Sequence, residues 1–254
     1  MTMKIRLLAL GDSAWTVEFG ETIDPALHAR VLGLAAALAQ ARAALGEGGA
    51  FSGVVDVVPT FRSLTVYYNP LLSDGQHLGE ELLRLAAVAG TVSQGGRHWR
   101  IPVCFDDEFA PDLNGLAQSK GLSREAVISL VTEANFRVYM IGFMPGFPYM
   151  GGLPAVLEVP RLATPRKVVP ARSLAIAGAM CAVYPWESPG GWRLLGRTPV
   201  PMFSVADPIS PSLLNSGDCV CWQAIDRPLY LEMEAAANAG VLDRNSLLLA
   251  PGAL

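Results

Sequence analysis

After Phe136, glycines and prolines interrupt the chain so often that only short elements fit between them. Proline locks φ and lacks a backbone N–H, while glycine tolerates φ > 0, so both end helices and strands rather than prolong them. The runs between the interruptions are Arg137-Val138-Tyr139-Met140-Ile141, Ser173 to Ala177, Trp192 to Leu195 and Cys219 to Ala224. Preceding them, His98 to Phe105 reads as a strand. Ser123 to Glu133 reads as a helix, capped by Ser123, with Leu122, Ala126, Val127 and Leu130 on one face. Many short strands set apart by turn residues predict a barrel or a sandwich.

The region before Arg97 has a different texture. Lys4 to Leu10 and Trp15 to Phe19 are short apolar runs separated by the turn residues Gly11-Asp12-Ser13. An Ala/Leu-rich helix is predicted from Pro25 to Leu45, with Asp24 as N-cap, Pro25 at the first helical position and Gly46 as its end. Phe51 to Val58 and Leu64 to Tyr68 read as strands, and about Gly75 to Ala89 as a weaker helix. The predicted fold class is therefore α+β, with a small α/β N-terminal domain in the order β-β-α-β-β-α. A length of 254 residues favours two domains over one. The expected boundaries are 1–92 and 97–226, with Thr91 to Gly96 as linker and 227–254 as a C-terminal tail, a short helix or docking appendage.

Composition narrows the function classes. The chain is 51% hydrophobic and 17% charged, which excludes intrinsic disorder. A net charge of -4 argues against a general nucleic-acid binder, which needs a basic surface. Mean hydropathy is +0.34, yet the most apolar stretch, Val31 to Ala39, falls well short of the about 20 apolar residues that cross a bilayer. Gly11 and Asp12 interrupt the apolar residues that follow Lys4 and Arg6 before a signal core forms, so a cytoplasmic chain without a membrane partner is expected. Cys104, Cys181, Cys219 and Cys221 form no CxxC and read as reduced, mostly buried thiols. His28, His77 and His98 stand apart from the cysteines and from one another, so neither a metal site nor a Ser-His-Asp triad is expected.

Charge is unevenly distributed. Between Arg137 and Val200 stand seven basic residues, Arg137, Arg161, Arg166, Lys167, Arg172, Arg193 and Arg197, against two acidic ones, Glu158 and Glu187. The remainder is strongly acidic. Such a segment either binds an anion or pairs with the acidic surplus elsewhere; arginine's planar fork suits carboxylate and phosphate. Three Gly/Pro-dense loops lie in it: Gly142 to Pro154, Glu187 to Trp192, and Gly196-Arg197-Thr198-Pro199. Each reads equally as a packed barrel corner or as a ligand site whose glycine amides, with an Arg and hydroxyls, form an anion nest. No GxxxxGK[ST], GxGxxG, GxSxG or HExxH occurs, and no nucleophile–base pair is legible.

The same loops carry a resemblance. Arg137-Val138-Tyr139-Met140-Ile141-Gly142-Phe143 with Pro145-Gly146-Phe147, Leu162-Ala163-Thr164-Pro165-Arg166, Val169-Pro170, Ile176-Ala177-Gly178, Tyr184-Pro185 and Ser188-Pro189-Gly190-Gly191-Trp192 through Gly196-Arg197-Thr198-Pro199 resemble the PxpB/KipI family. That family is also called allophanate hydrolase subunit 1, or carboxyltransferase subdomain C/D. Gly11-Asp12-Ser13-Ala14, Phe19-Gly20, Ile101-Pro102-Val103, Pro111-Asp112-Leu113 and Gly217-Asp218 match it elsewhere, so the likeness runs to about Ile225.

The resemblance implies a cyclophilin-like β-barrel after the N-terminal domain. It also implies two partners, a PxpC-like subunit 2 and a PxpA-like subunit. Together they would form an ATP-dependent 5-oxoprolinase that converts 5-oxo-L-proline, ATP and water to L-glutamate, ADP and phosphate. On this reading the chain is part of a hydrolase and inactive alone. ATP, with Mg2+, is held at a site shared with the partner. Arg166, Arg193 and Arg197 are the expected catalytic contacts to phosphate or carboxylate. Phe143, Pro145, Gly146, Phe147, Tyr149, Tyr184, Glu187, Ser188, Gly190, Gly191, Trp192 and Thr198 are the expected binding residues. The family also extends to KipI-like inhibitors of a sensor histidine kinase and to accessory subunits of allophanate or urea amidolyases. Departures from its pattern are Val131 for a His, Phe136 for a Tyr, Arg172 for a Gly, and Ala179-Met180-Cys181-Ala182 for polar residues.

Overall fold

The computed structural model describes residues 5–46, 49–92 and 96–250. Lys4 of the first expected strand, 93–95 of the expected linker and 251–254 of the expected tail lie outside the described residues. The chain divides into two compact units, Met1–Gly95 and Gly96–Leu254. The first has the expected β-β-α-β-β-α order: β1 (Arg6–Ala9), β2 (Ala14–Glu18), α1 (Pro25–Leu45), β3 (Val54–Pro59), β4 (Ser63–Tyr68) and α2 (Gly75–Val88). The strands form an antiparallel sheet in the order β1-β2-β4-β3. Asp24 caps α1 by accepting from Ala26 N, and Asp74 caps α2 by accepting from Gln76 N. Leu27, Val31, Leu34 and Leu38 recur along α1 at helical spacing. They meet Leu78, Leu82 and Ala86 of α2 and Val17, Leu64 and Val66 of the sheet in one buried core. Gly33 lets backbone approach α1 closely, since a Cβ there would stand 1.8 Å from Gly90 O.

In the second unit the sequence's alternatives resolve to a barrel. Its elements are β5 (His98–Cys104), α3 (Leu113–Lys120), α4 (Arg124–Glu133), β6 (Phe136–Ile141), β7 (Pro148–Gly151), β8 (Arg166–Val169), β9 (Ser173–Ala177), β10 (Met180–Val183), β11 (Ser188–Gly190), β12 (Arg193–Arg197), β13 (Cys219–Ile225) and α5 (Arg227–Asn238). Seven strands close in the order β10-β7-β6-β13-β5-β12-β9, while β11 and β8 form a separate two-stranded ribbon. Pairing within the barrel is antiparallel except for β5 with β13, which run parallel from His98↔Cys219 to Cys104↔Ile225. Alternate residues fill the interior: Trp99, Ile101 and Val103 of β5, Leu174 and Ile176 of β9, Cys181 and Val183 of β10, Val220 and Trp222 of β13. All four cysteines are free, and burial raises the Cys181 thiol far above its ordinary pKa. No helix among the described residues is long and apolar enough to cross a membrane.

The parallel pair is locked by a buried carboxylate. Asp218, 2% exposed, precedes β13. Its oxygens accept from Arg97 N, Arg97 Nη2, Trp99 Nε1 and Asn215 N, each at 2.9 Å. One side chain thus fixes where β5 and β13 begin.

The described residues of the expected tail, 227–250, pack onto the barrel. Asp226 caps α5 by accepting from Leu229 N. Tyr230 is fully buried, its ring 4.5 Å from that of Phe109, and Leu247 joins the barrel core. Arg172 supplies the polar anchor: it donates to Pro199 O at 2.8 Å and pairs with Glu234 at 3.2 Å. Its backbone is left-handed, φ 67°, which is the conformation that favours the glycine of the family pattern at this position. Val131 and Phe136, two of the other departures, are 1% exposed and lie in the barrel core. The helix α3 has no counterpart in the sequence expectations: it is eight residues long, with Gly115 and the polar Asn114, Gln118 and Ser119 diluting its apolar pattern, and its N-cap residue Asp112 makes no side-chain cap hydrogen bond.

Two outcomes follow for stability, read by urea unfolding of the intact chain. Asp218→Ala removes the acceptor for four donors and destabilises by about 3–5 kcal/mol, as does breaking other buried ion pairs from one side. Arg172→Ala loses the anchor to α5 and keeps the backbone strain, whereas Arg172→Gly relieves the strain, so the glycine variant is the more stable by about 1 kcal/mol.

Candidate functional site

The alternate residues of β9, β10 and β12 point away from the barrel interior and are apolar too: Ala175, Ala177, Ala182 and Leu194. Phe147, Tyr184 and Trp192 cover them, with Met144, Tyr149 and Met180 at the margin. Phe147 reaches this face from the β6–β7 loop, closed by Gly142 N to Phe147 O at 3.1 Å and Phe147 N to Met144 O at 3.1 Å. Gly146, at φ 78°, brings the loop against Phe203; a Cβ would stand 2.7 Å from Phe203 Cβ. The neighbouring Phe143 is held at φ 69° and is 67% exposed. A bulky residue in that region signals strain that the surroundings impose.

Around Phe147 the rings meet mostly edge to face, the arrangement that aromatic quadrupoles favour. Centroids lie 5.5 Å from Phe143, 5.2 Å from Tyr184 and 6.1 Å from Trp192, at interplanar angles of 83° to 90°. Tyr149 stands 4.9 Å from Phe147 and 6.0 Å from Trp192. These rings, with Arg161, Pro165, Pro189, Gly190 and Gly191, line a cleft of about 280 Å³. Gly190 makes room for the Tyr184 hydroxyl, which a Cβ there would meet at 2.3 Å.

Arg161 is the cleft's one charged lining residue. Leu162 N donates to Gly191 O at 2.7 Å, which ties this segment beside Trp192 and sets the Arg161 guanidinium 5.8 Å from its ring. No carboxylate among the described residues stands within ion-pair distance of Arg161. Burial raises the pKa of the Tyr149 and Tyr184 phenols, Arg161 pulling the other way, so both stay protonated at neutral pH.

Of the residues expected at a site, Phe143, Phe147, Tyr149, Tyr184, Gly190, Gly191 and Trp192 are brought together here. The arginines Arg166, Arg193 and Arg197 do not line the cleft. Arg166 pairs with Asp112 at 2.7 Å, and the other Asp112 oxygen accepts from Leu194 N at 2.6 Å, so this pair braces the strand that follows Trp192. Arg197 donates to Ala171 O at 2.9 Å and stacks 5.8 Å from Phe109, toward α5. Arg193 has a buried Nε with no hydrogen-bond partner. Pro145 and Gly146 shape the loop without lining the cleft, and Glu187 is exposed outside it. Ser188 has a buried, unbonded hydroxyl on β11; Thr198 is buried and accepts from Val200 N at 3.2 Å. Gly190 is in the ladder with Arg166 of β8, and the Gly191 carbonyl is occupied by Leu162. Arg161 carried no signal beyond its contribution to the basic excess, because only the Leu162–Gly191 contact, between residues far apart in sequence, delivers it to the cleft.

Known proteins resemble this chain over most of its length. The 5-oxoprolinase B subunit of Bacillus subtilis is 36% identical over 94% of this chain and all of its own length. That of Haemophilus influenzae is 42% identical over 66% of this chain and 78% of its own. Among solved structures, TTHA0988 superposes on 85% of the chain with a TM-score of 0.72 at 35% identity, and this chain spans only 40% of it. A conserved uncharacterized protein of Pyrococcus horikoshii, PH0987, is matched over its whole length at 36% identity, with a TM-score of 0.51. The Kluyveromyces lactis urea amidolyase, 19% identical, shares the fold over 95% of this chain with a TM-score of 0.77 and is matched over 16% of its own length. The pattern of the carboxyltransferase domain, subdomain C and D, matches residues 5–214, and the chain belongs to that family.

Proposed function

We propose that the chain is the B component of an ATP-dependent 5-oxoprolinase, contributing the organic half of a site that companion proteins complete. The observation that carries this reading is the aromatic cleft on the barrel's outer face, in a chain so similar to curated 5-oxoprolinase components. A lactam is a poor electrophile, and phosphorylation of its oxygen creates an activated imidate that water opens. The residues here do not fit the nucleotide's part in that chemistry. The cleft has one cation and no lining carboxylate, and no three His, Cys, Asp or Glu among the described residues cluster to hold a metal ion. In this reading the triphosphate and its Mg2+ lie on a PxpC-like or PxpA-like companion. The chain's own part is to bind and orient the ring and to keep water from it, with Arg166 and Asp112 bracing the strand behind Trp192.

Reconstitution tests the proposal. The chain with its PxpA-like and PxpC-like companions releases L-glutamate from 5-oxo-L-proline only when ATP is added, and the chain alone releases none. A complete, ATP-supplied complex that forms no glutamate overturns the reading. Within the active complex, Phe143→Gly relieves the left-handed strain and stabilises the chain by about 1 kcal/mol, while loss of the ring raises KM several-fold. Thermal unfolding and steady-state kinetics on the same preparation check the two halves of that expectation.

A further inference from the structure

We propose that Arg161 is the specificity-determining residue of the cleft, which takes one small flat ring bearing a single carboxylate and not a nucleotide. The inference rests on the functional reading above and identifies which part of the reaction's substrates this chain holds.

Two features select that ligand. The walls are the rings of Phe143, Phe147, Tyr149, Tyr184 and Trp192, so a planar guest gains by stacking on a face or meeting an edge. The guanidinium of Arg161 sits over Trp192 with no carboxylate partner among the described residues, and a guest carboxylate matches its planar fork with two parallel N–H···O bonds. A cleft of about 280 Å³ accommodates a five-membered lactam with its carboxylate. A phosphate chain finds a poor match, because it calls for several cations and Arg161 is the one cation that lines the cleft. Arg193 and Arg197 do not line the cleft, and Arg166, whose Nη1 lies 3.4 Å from Trp192 O, is paired with Asp112 at 2.7 Å, so the acid–amide distinction falls to one side chain.

The test is equilibrium binding to the intact chain by saturation-transfer NMR and calorimetry. The probes are 5-oxo-L-proline, its neutral carboxamide and adenosine 5′-monophosphate. The expected result is binding of the acid about tenfold or more tighter than the amide, a preference of the size that charge-assisted hydrogen bonds give, with no displacement by the nucleotide. Arg161→Gln abolishes the preference; its amide binding stays at the wild-type level, which verifies that the cleft is intact, since Arg161 is exposed. Equal binding of acid and amide by the wild type, no saturable binding of the acid, displacement by the nucleotide, or a preference that survives in Arg161→Gln each overturns the inference. Glutamate release by the complete complex is scored separately, so a complex that turns over with an unchanged KM in Arg161→Gln defeats the role of Arg161 while the place of the chain in a 5-oxoprolinase stands.

Discussion

The constraint on which this protein most depends is that a barrel strand has two faces and that both can be apolar. In β9 and β10 the interior receives Leu174, Ile176, Cys181 and Val183, while Ala175, Ala177 and Ala182 look outward. A bare outer face of that kind has to be covered. The cover is built from irregular chain, the β6–β7 loop and the β8–β11 ribbon, and a cover of rigid rings over small alanines leaves a gap. The candidate site is that gap. Its position follows from packing: small residues beneath, large aromatic residues above, and glycine where a side chain would strike the Tyr184 hydroxyl.

A second theme is what becomes of the basic excess between Arg137 and Val200. Both readings that the sequence leaves open have physical counterparts, in different residues. Arg166 finds Asp112 and Arg172 finds Glu234, so those charges join chain segments far apart in sequence. Arg197 bonds a backbone carbonyl and stacks on Phe109. Of the seven, Arg161 is the one that lines the aromatic cleft. Charge counting locates a region, and the choice between brace and binding group within it is made by which carboxylates the fold delivers nearby.

The departures from the family pattern have physical counterparts too. Val131 and Phe136 occupy fully enclosed places in the barrel core, the Phe136 ring tilted against that of Trp222 at 6.1 Å, where apolar side chains cost no lost hydrogen bonds. Arg172 at a left-handed position is held by two polar contacts, one of them to α5, a helix beyond the segment that carries the motifs. Met180 and Ala182 extend the apolar bed beneath the rings.

Local chemistry was legible without coordinates. Asp24 with Pro25, and Ser123, announce helix starts because capping is a contact between near neighbours, and the β-β-α-β-β-α order is written in period and turn residues. Aromatics at 143, 147 and 149 are conspicuous in a Gly/Pro loop, while Tyr184 and Trp192 are reached through the likeness to the family. Closure through a parallel β5–β13 pair, the lock at Asp218, the docking of α5, and the choice of Arg161 over Arg166, Arg193 and Arg197 as the cation lining the cleft were decided only by tertiary structure. Each depends on a contact between residues distant along the chain, and a side chain's partner at that range is set by the closed path of the backbone, which no local spacing encodes.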